Sequence, residues 1–241
     1  MSSYRDSHVG EDRGLKYDAI HAGKVDALIW DTFIKDLVAD EAQSCAARGG
    51  RRYLDFACGT GRVLKIGQPY FEESVGIDIS DDMLSVARER VPQAELVLAD
   101  VTRDPDVVSG YFDFVTIFRF ILNAERSLSM EVLAWLASRM RPGSVLVVNN
   151  HMNRFSFRGL ATVLSNSLLR TDLNHLSHRE ATEMLQESGF RVRHWSGYRV
   201  LPSFRGKPIL GTGLQAALER GIRKAGLGRL GSEHVFVAER V

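Results

Sequence analysis

The stretch Tyr53-Leu54-Asp55-Phe56-Ala57-Cys58-Gly59-Thr60-Gly61-Arg62 decides the fold. It reads as an apolar strand, then a turn with two glycines one residue apart, then the start of a helix. Glycines at such a turn let a ligand approach the backbone closely, because no side chain stands in the way. A dinucleotide site is the first expectation, and it fits poorly. The GxGxxG pattern needs a third small residue for packing helix on strand, and Leu64 holds that position. Asp55, at the strand end, would repel a pyrophosphate but attract a ligand with a positively charged end.

Outward from this turn, strands and helices alternate. Ser74–Ile79 reads as a second strand, with Ser80 as the N-cap of a helix over Met83–Arg90. Glu95–Ala99, Phe112–Phe118 and Ser144–Val148 read as further strands, with helices over 61–71 and 127–140. That rhythm predicts a doubly wound α/β fold with a mostly parallel sheet covered on both faces. Before it, residues 15–47 carry apolar side chains at helical spacing. After it, Ser177–Ser188 reads as a helix, and Phe190–Val200 and His234–Glu239 as strands. Between those strands, Gly211–Leu230 places Leu214, Ala217, Leu218, Ile222 and Ala225 on one helical stripe.

The composition excludes several classes. The 241 residues are 44% hydrophobic, enough for a core without staples. Two cysteines, Cys45 and Cys58, rule out a disulfide scaffold and fit a reducing, cytoplasmic setting. A net charge of +1 argues against a general nucleic-acid binder. No apolar run reaches the roughly 18–20 residues that span a bilayer, and the polar N-terminus carries no signal core.

The strand ends carry the chemistry. Asp78 lies 19 residues past Gly59, where a carboxylate accepts from both hydroxyls of a ribose. Asp100, at the third strand end, is placed to read the amine and ring edge of adenine. In an open α/β sheet these ends face one crevice. The implied ligand has a cationic end, a ribose and a purine, and no phosphate.

Taken together, the DFACGTG turn, the GIDIS and LAD strand ends and the FDFVTIF strand resemble class I S-adenosylmethionine-dependent methyltransferases. The resemblance covers roughly residues 50–150 and the helical cover before them. It implies a seven-stranded sheet with a last antiparallel strand, and a single domain over 1–241. In that domain, residues 15–47 form the helical cover, 50–150 the cofactor core and 151–233 a substrate-side elaboration and lid. It implies that Asp55, Ala57, Gly59 and Gly61 hold the methionine portion of S-adenosylmethionine, with Tyr17 near its amino-acid end. By the same resemblance Asp78 takes the ribose, Ile79 and Met83 flank the adenine, Asp100 and Val101 read its edge, and Phe118 lines the methionine side.

The methyl acceptor is less legible. No Asp/Asn-Pro-Pro-aromatic run follows the fourth strand, which disfavours base methylation. The run Asn149-Asn150-His151-Met152-Asn153 supplies donors and acceptors suited to a polyol, and neutral His151 is a candidate base for a hydroxyl proton. Arg119 is a candidate clamp for a carboxylate or phosphate, or pairs with a local acid such as Glu125. Asn123, Asn150, Asn153 and His175 are candidate substrate contacts, and His178 is a weaker one. Residues 151–230 carry a net +8, which points to an anionic acceptor or an anionic surface nearby. These readings predict O-methylation of a small sugar-like or anionic acceptor. The alternatives are an RNA methyltransferase using the basic C-terminal half and a non-catalytic cofactor-binding protein. No metal-ligand spacing is visible. For the basic helix near 211–230, packing of its apolar stripe on the domain is the favoured expectation, and contact with a membrane the lesser one.

Overall fold

A computed structural model describes residues 24–121, 123–160, 176–204 and 206–241. At the centre of its seven-stranded sheet, β1 (Arg52–Phe56) lies between β2 (Glu73–Asp78) and β4 (Phe112–Ile117), with β3 (Glu95–Leu98) outside β2. Beyond β4 come β5 (Met140–Asn150), β9 (Glu233–Arg240) and β6 (Phe190–Tyr198). The pairings from β3 through β5 are all parallel, whereas β9 runs antiparallel to both β5 and β6. A small hairpin pairs β7 (Ser203–Phe204) with β8 (Lys207–Pro208). The chain moves outward from β1 through β3 and then returns to β4. The carboxyl ends of β1 and β4 therefore flank the switch point where ligands of such sheets bind.

Strand pleating sorts the core into two clusters. Tyr53, Phe114, Val145, Val147, Val235 and Val237 belong to one, while Leu54, Val115, Leu146, Val148 and Phe236 belong to the other. Successive side chains point to opposite faces, so the clusters lie on opposite sides of the sheet. The first is covered by α1 (Val25–Ile29), a π-helical turn (Trp30–Ile34) and α2 (Lys35–Ala47), which bury Ile29, Ile34 and Val38. The second is covered by α5 (Arg126–Ser138) and α6 (His178–Glu187). Ser177 and Glu180 close a capping box at the start of α6, and Ser80 caps α4 (Asp81–Arg90) by accepting from the Met83 N–H.

Three expectations change. The helix expected over 61–71 is only α3 (Leu64–Gly67) followed by a 3-10 turn at Gln68–Tyr70, because Pro69 has no N–H to continue the ladder. The fifth strand runs longer than expected, from Met140, which pairs with Phe112 across a register shift. The third change is the packing of α7 (Thr212–Lys224). Its buried residues are Gln215, Ala216 and Glu219, and the apolar stripe expected to pack inward faces out. Buried Glu219 accepts from the backbone N–H groups of Val200 (3.2 Å) and Leu201 (2.8 Å), which have no strand partner there. Satisfying those donors decides which face turns in.

His178, named above as a weak substrate candidate, stacks on Phe236 at 5.2 Å and lies 4.3 Å from Trp195. His234 completes the group, fully buried and 5.2 Å from Trp195. Burial, and then the neighbouring His178, push the His234 imidazole down to about 4. Its unfolded value is about 6.5, so between these pH values the unfolded chain binds a proton that the native state refuses. Stability is therefore full above about pH 6.5 and falls as the pH drops toward about 4. Thermal melts at pH 7.5 and pH 5 should show a larger loss for the wild type than for His234→Phe, by on the order of 1–2 kcal/mol. An equal loss in both would contradict this assignment.

Candidate functional site

The carboxyl ends of β1, β2, β4 and β5 and the helical cover enclose a crevice of about 330 Å³. Its floor is the turn after β1. Ala57 (φ +54) and Gly59 (φ +53) both adopt the left-handed region, which for Ala57 costs about 1–2 kcal/mol. The Asp78 carboxylate holds this turn. Oδ2 accepts from the Gly59 N–H at 2.7 Å, and Oδ1 accepts from the Ser80 N–H at 2.9 Å. A Cβ built at Gly59 would meet nothing within 4 Å, so the glycine opens onto free space. Gly61 (φ +72) has a different task. A Cβ there would press on Ala87 and Val91 at 3.2 Å, so this glycine lets α4 pack against the turn and does not line the crevice.

Asp55 also departs from expectation. Its carboxylate is 1% exposed and lies beneath the turn, away from the crevice wall. The Thr116 hydroxyl donates to it at 2.6 Å and accepts from the Tyr53 hydroxyl at 2.7 Å. Burial pushes its carboxyl up to about 7, against hydrogen bonds from Thr116 and the backbone of Leu64. This acid supports the turn from below.

A smaller hollow of about 30 Å³ joins the crevice, sharing Ala57 and Asp78 with it. Ile79, Asp100, Val101 and the unforeseen Phe120 line it, and its walls are largely apolar. The Asp100 carboxylate accepts from the Thr102 N–H (3.1 Å) and hydroxyl (2.7 Å), which fixes its rotamer. Met83 and Phe118 line the larger crevice, where Trp30 meets Phe118 edge-on at 5.7 Å and carries the Arg62 guanidinium at 4.2 Å.

The opposite end of the crevice is polar. Arg119, at the end of β4, is left-handed at φ +58. Its N–H donates to Asn149 Oδ1 (2.7 Å), and its carbonyl accepts from the Asn123 side chain (2.7 Å). Asn149 in turn donates to the buried Glu233 carboxylate at 2.8 Å. The Arg119 side chain pairs with Asp26 of α1 at 3.6 Å, where Glu125 was the expected acid, and Arg199 also pairs with Asp26. His151 lines the same end. Burial, and then the Arg119 guanidinium, hold its imidazole at about 3, far below the usual histidine range.

Two expected substrate contacts lie elsewhere. Asn150 is buried and donates to the Leu176 carbonyl at 2.8 Å. Asn153 is buried and donates to the carbonyls of Arg229 and Gly231. Both fasten the C-terminal elaboration to β5 and contribute nothing to the crevice wall. Tyr17 and His175 lie outside the described residues. Asp26, Trp30, Arg199 and Glu233 were not foreseen, and Asn149 stood in the run read above without being singled out as a contact. Only Asn149 had a signal, since strand parity sets it on the face of Val145 and Val147, opposite Asn150. Among the described residues no group of His, Cys, Asp and Glu is placed to hold a metal ion.

Residues 54–143 match a family model described as a methyltransferase domain. A dTDP-3-amino-3,4,6-trideoxy-alpha-D-glucopyranose N,N-dimethyltransferase of Streptomyces venezuelae is 31% identical over 140 residues, 57% of this chain and 56% of that protein. The chain spans about half the length of the curated relatives it matches. Magnesium protoporphyrin IX methyltransferase from Synechocystis PCC 6803, with bound S-adenosylhomocysteine, is similar in structure with a TM-score of 0.62 at 16% identity, covering 95% of each chain. An amino pentose methyltransferase from Micromonospora echinaspora, with S-adenosylmethionine bound, gives 0.61 at 16% identity, covering 94% and 97%. The fold is the Rossmann-like methyltransferase fold seen in these structures, and the methyltransferase-domain match covers its β1–β5 part.

S-adenosylmethionine or its product S-adenosylhomocysteine is bound in both of those structures, and the residues present here fit it. An ionised carboxylate offers about four lone-pair sites. Asp78 lines the crevice beside Gly59, where its carboxylate has the chemistry to accept from a ribose diol. Beside it, the apolar Ile79 and Val101 with Asp100 at their edge match the chemistry of adenine, and Gly59 opens onto free space.

The left-handed backbone at Arg119 is testable. Glycine normally destabilises a chain relative to alanine, but at this φ the order should invert. Urea unfolding should show Arg119→Gly more stable than Arg119→Ala by about 1 kcal/mol. Equal or reversed stabilities would mean that Arg119 does not hold this conformation.

Proposed function

We propose that the protein is an S-adenosylmethionine-dependent methyltransferase acting on a small, sugar-like acceptor that carries an anionic group, and that the methyl goes to an amine. The observation that carries this reading is the crevice end built from His151, Glu233 and Asn149 on one side and Arg119 on the other. The bound cofactor supplies a methyl group on a cationic sulfonium. The chain aligns the acceptor and excludes water, the main contribution such a displacement needs.

The expected O-methylation relied on His151 as a base titrating in the usual histidine range. An imidazole held at about 3 is a poor acceptor for a hydroxyl proton. It does remain neutral at physiological pH, as an acceptor of hydrogen bonds. A neutral amine already presents a lone pair, so His151 and Glu233 need only accept its N–H groups and orient it. The similarity to an N,N-dimethyltransferase of an amino sugar nucleotide and to an amino pentose methyltransferase supports the same chemistry.

The anionic group is assigned to a neighbouring hollow of about 280 Å³, lined by Arg158, Arg199, Ser203 and Ser232. Arg158 and Arg199 bring two guanidinium groups to this hollow, and both can pair with an anion through charge-assisted hydrogen bonds. The Arg199–Asp26 pair stands between this hollow and the crevice.

The test is methyl transfer from labelled S-adenosylmethionine to matched nucleotide sugars bearing an amine or a hydroxyl at one position, with RNA as a third acceptor. The amino sugar should be preferred by roughly tenfold or more, and His151→Asn should lower kcat/KM without moving the pH profile. Preference for the hydroxyl sugar, with an inflection near pH 6.5 that His151→Asn removes, would restore O-methylation. Transfer to RNA alone would overturn the small-molecule assignment.

A further inference from the structure

Helix α7 packs with its amphipathic sense inverted. At 3.6 residues per turn, Leu214, Ala217, Leu218, Gly221 and Ala225 share one side. That side faces solvent, with Leu214 56% and Leu218 41% exposed. The opposite side carries Gln215 and Glu219, both fully buried. Gln215 Oε1 accepts from the Ile209 N–H at 3.1 Å, and Glu219 accepts from Val200 and Leu201. The Arg223 guanidinium lies 4.5 Å over Tyr198 and 4.9 Å over Phe33. These contacts lock the polar side inward. Turning the leucines in would take Glu219 and Gln215 away from the N–H groups of Val200, Leu201 and Ile209 and leave those donors unpaired.

The exposed apolar character extends past the helix. Ile209 and Leu210 before it, and Leu227 and Leu230 after it, are all exposed. Among the described residues, six of the fourteen exposed large hydrophobic side chains fall within 209–230. Such clustering marks an interaction surface, whereas single exposed leucines do not. The charges in the same segment are one-sided. The exposed charged residues between 207 and 230 are Lys207, Arg220, Lys224 and Arg229, all basic. Arg220 and Lys224 lie on the flank of the apolar face, between it and the buried side.

An apolar face flanked by basic side chains is the pattern of a helix that lies in the plane of a bilayer surface. We propose that α7 and its flanking turns dock the protein onto an anionic lipid surface, with Leu214 and Leu218 entering the headgroup–acyl boundary and Arg220 and Lys224 meeting lipid phosphates. Among the described residues no helix is long and apolar enough to cross a membrane, so the contact is peripheral. A second copy of the chain is the poorer occupant. A two-fold interface sets one patch against itself, and this patch carries exposed basic charges with no exposed acidic side chain between 207 and 230 to meet them.

The experiment is co-sedimentation of the full chain with phosphatidylcholine vesicles, alone or with one third phosphatidylglycerol, at low and high salt. Binding should require the anionic lipid and weaken as salt screens it. Leu214→Glu with Leu218→Glu should lower partitioning by roughly tenfold or more, as should Arg220→Glu with Lys224→Glu. All four side chains are exposed, so the melting temperature of each variant should match the wild type. Failure to sediment with anionic vesicles, or binding that the leucine substitutions leave unchanged, would overturn the proposal. A concentration-dependent dimer abolished by Leu218→Glu would overturn it in favour of a second copy.

Discussion

The site rests on one carboxylate with two backbone partners. Asp78 receives the Gly59 N–H on one oxygen and the Ser80 N–H on the other. The first bond pins the left-handed turn after β1. The second shapes the entry to α4, where Ser80 is the N-cap. Hydrogen bonds to a charged acceptor contribute about 1.5–3 kcal/mol each, comparable to the strain of holding Ala57 in the left-handed region. The turn that opens the crevice is therefore held by a residue that also lines it. Asp55 and Thr116 prop it from beneath, and Gly61 lets α4 close on it.

A second lock shapes the acceptor end. Asn149 uses its amide oxygen on the Arg119 N–H and its amide nitrogen on Glu233. One side chain thus couples the ends of β4, β5 and β9. Asp26 extends the coupling to the helical cover through Arg119 and Arg199. Asn149 fixes the Arg119 backbone and Asp26 pairs with its guanidinium, the group that, after burial, depresses His151. Backbone strain, ion pairing and the state of the histidine are three consequences of one arrangement.

Legibility in the sequence followed the range of the interactions. The strand–turn–helix rhythm and the acids at the strand ends depend on neighbours a few residues away, and they stand where spacing put them. Asp55 and Gly61 stand out in the sequence, while their contacts with Thr116 and with Ala87 and Val91 do not, since support from below and contact with a ligand leave the same local pattern. Strand parity separates Asn149 from Asn150, yet composition made the run look uniform. Asp26, Arg199 and Glu233 come from opposite ends of the chain and carry no local mark. Helix α7 shows the limit of periodicity. Its apolar stripe is real, but the unpaired N–H groups of Val200 and Leu201 needed Glu219, and that need is visible only in three dimensions.

The most direct test of the central claim is calorimetric titration of S-adenosylhomocysteine into the wild type and Asp78→Asn. An amide in place of the carboxylate aims an N–H at one of the two backbone donors, so one tie must break. The account predicts one site per wild-type chain and affinity weaker by roughly tenfold or more in the variant, which remains folded. Equal affinity in the two proteins, or no binding by the wild type, would contradict it.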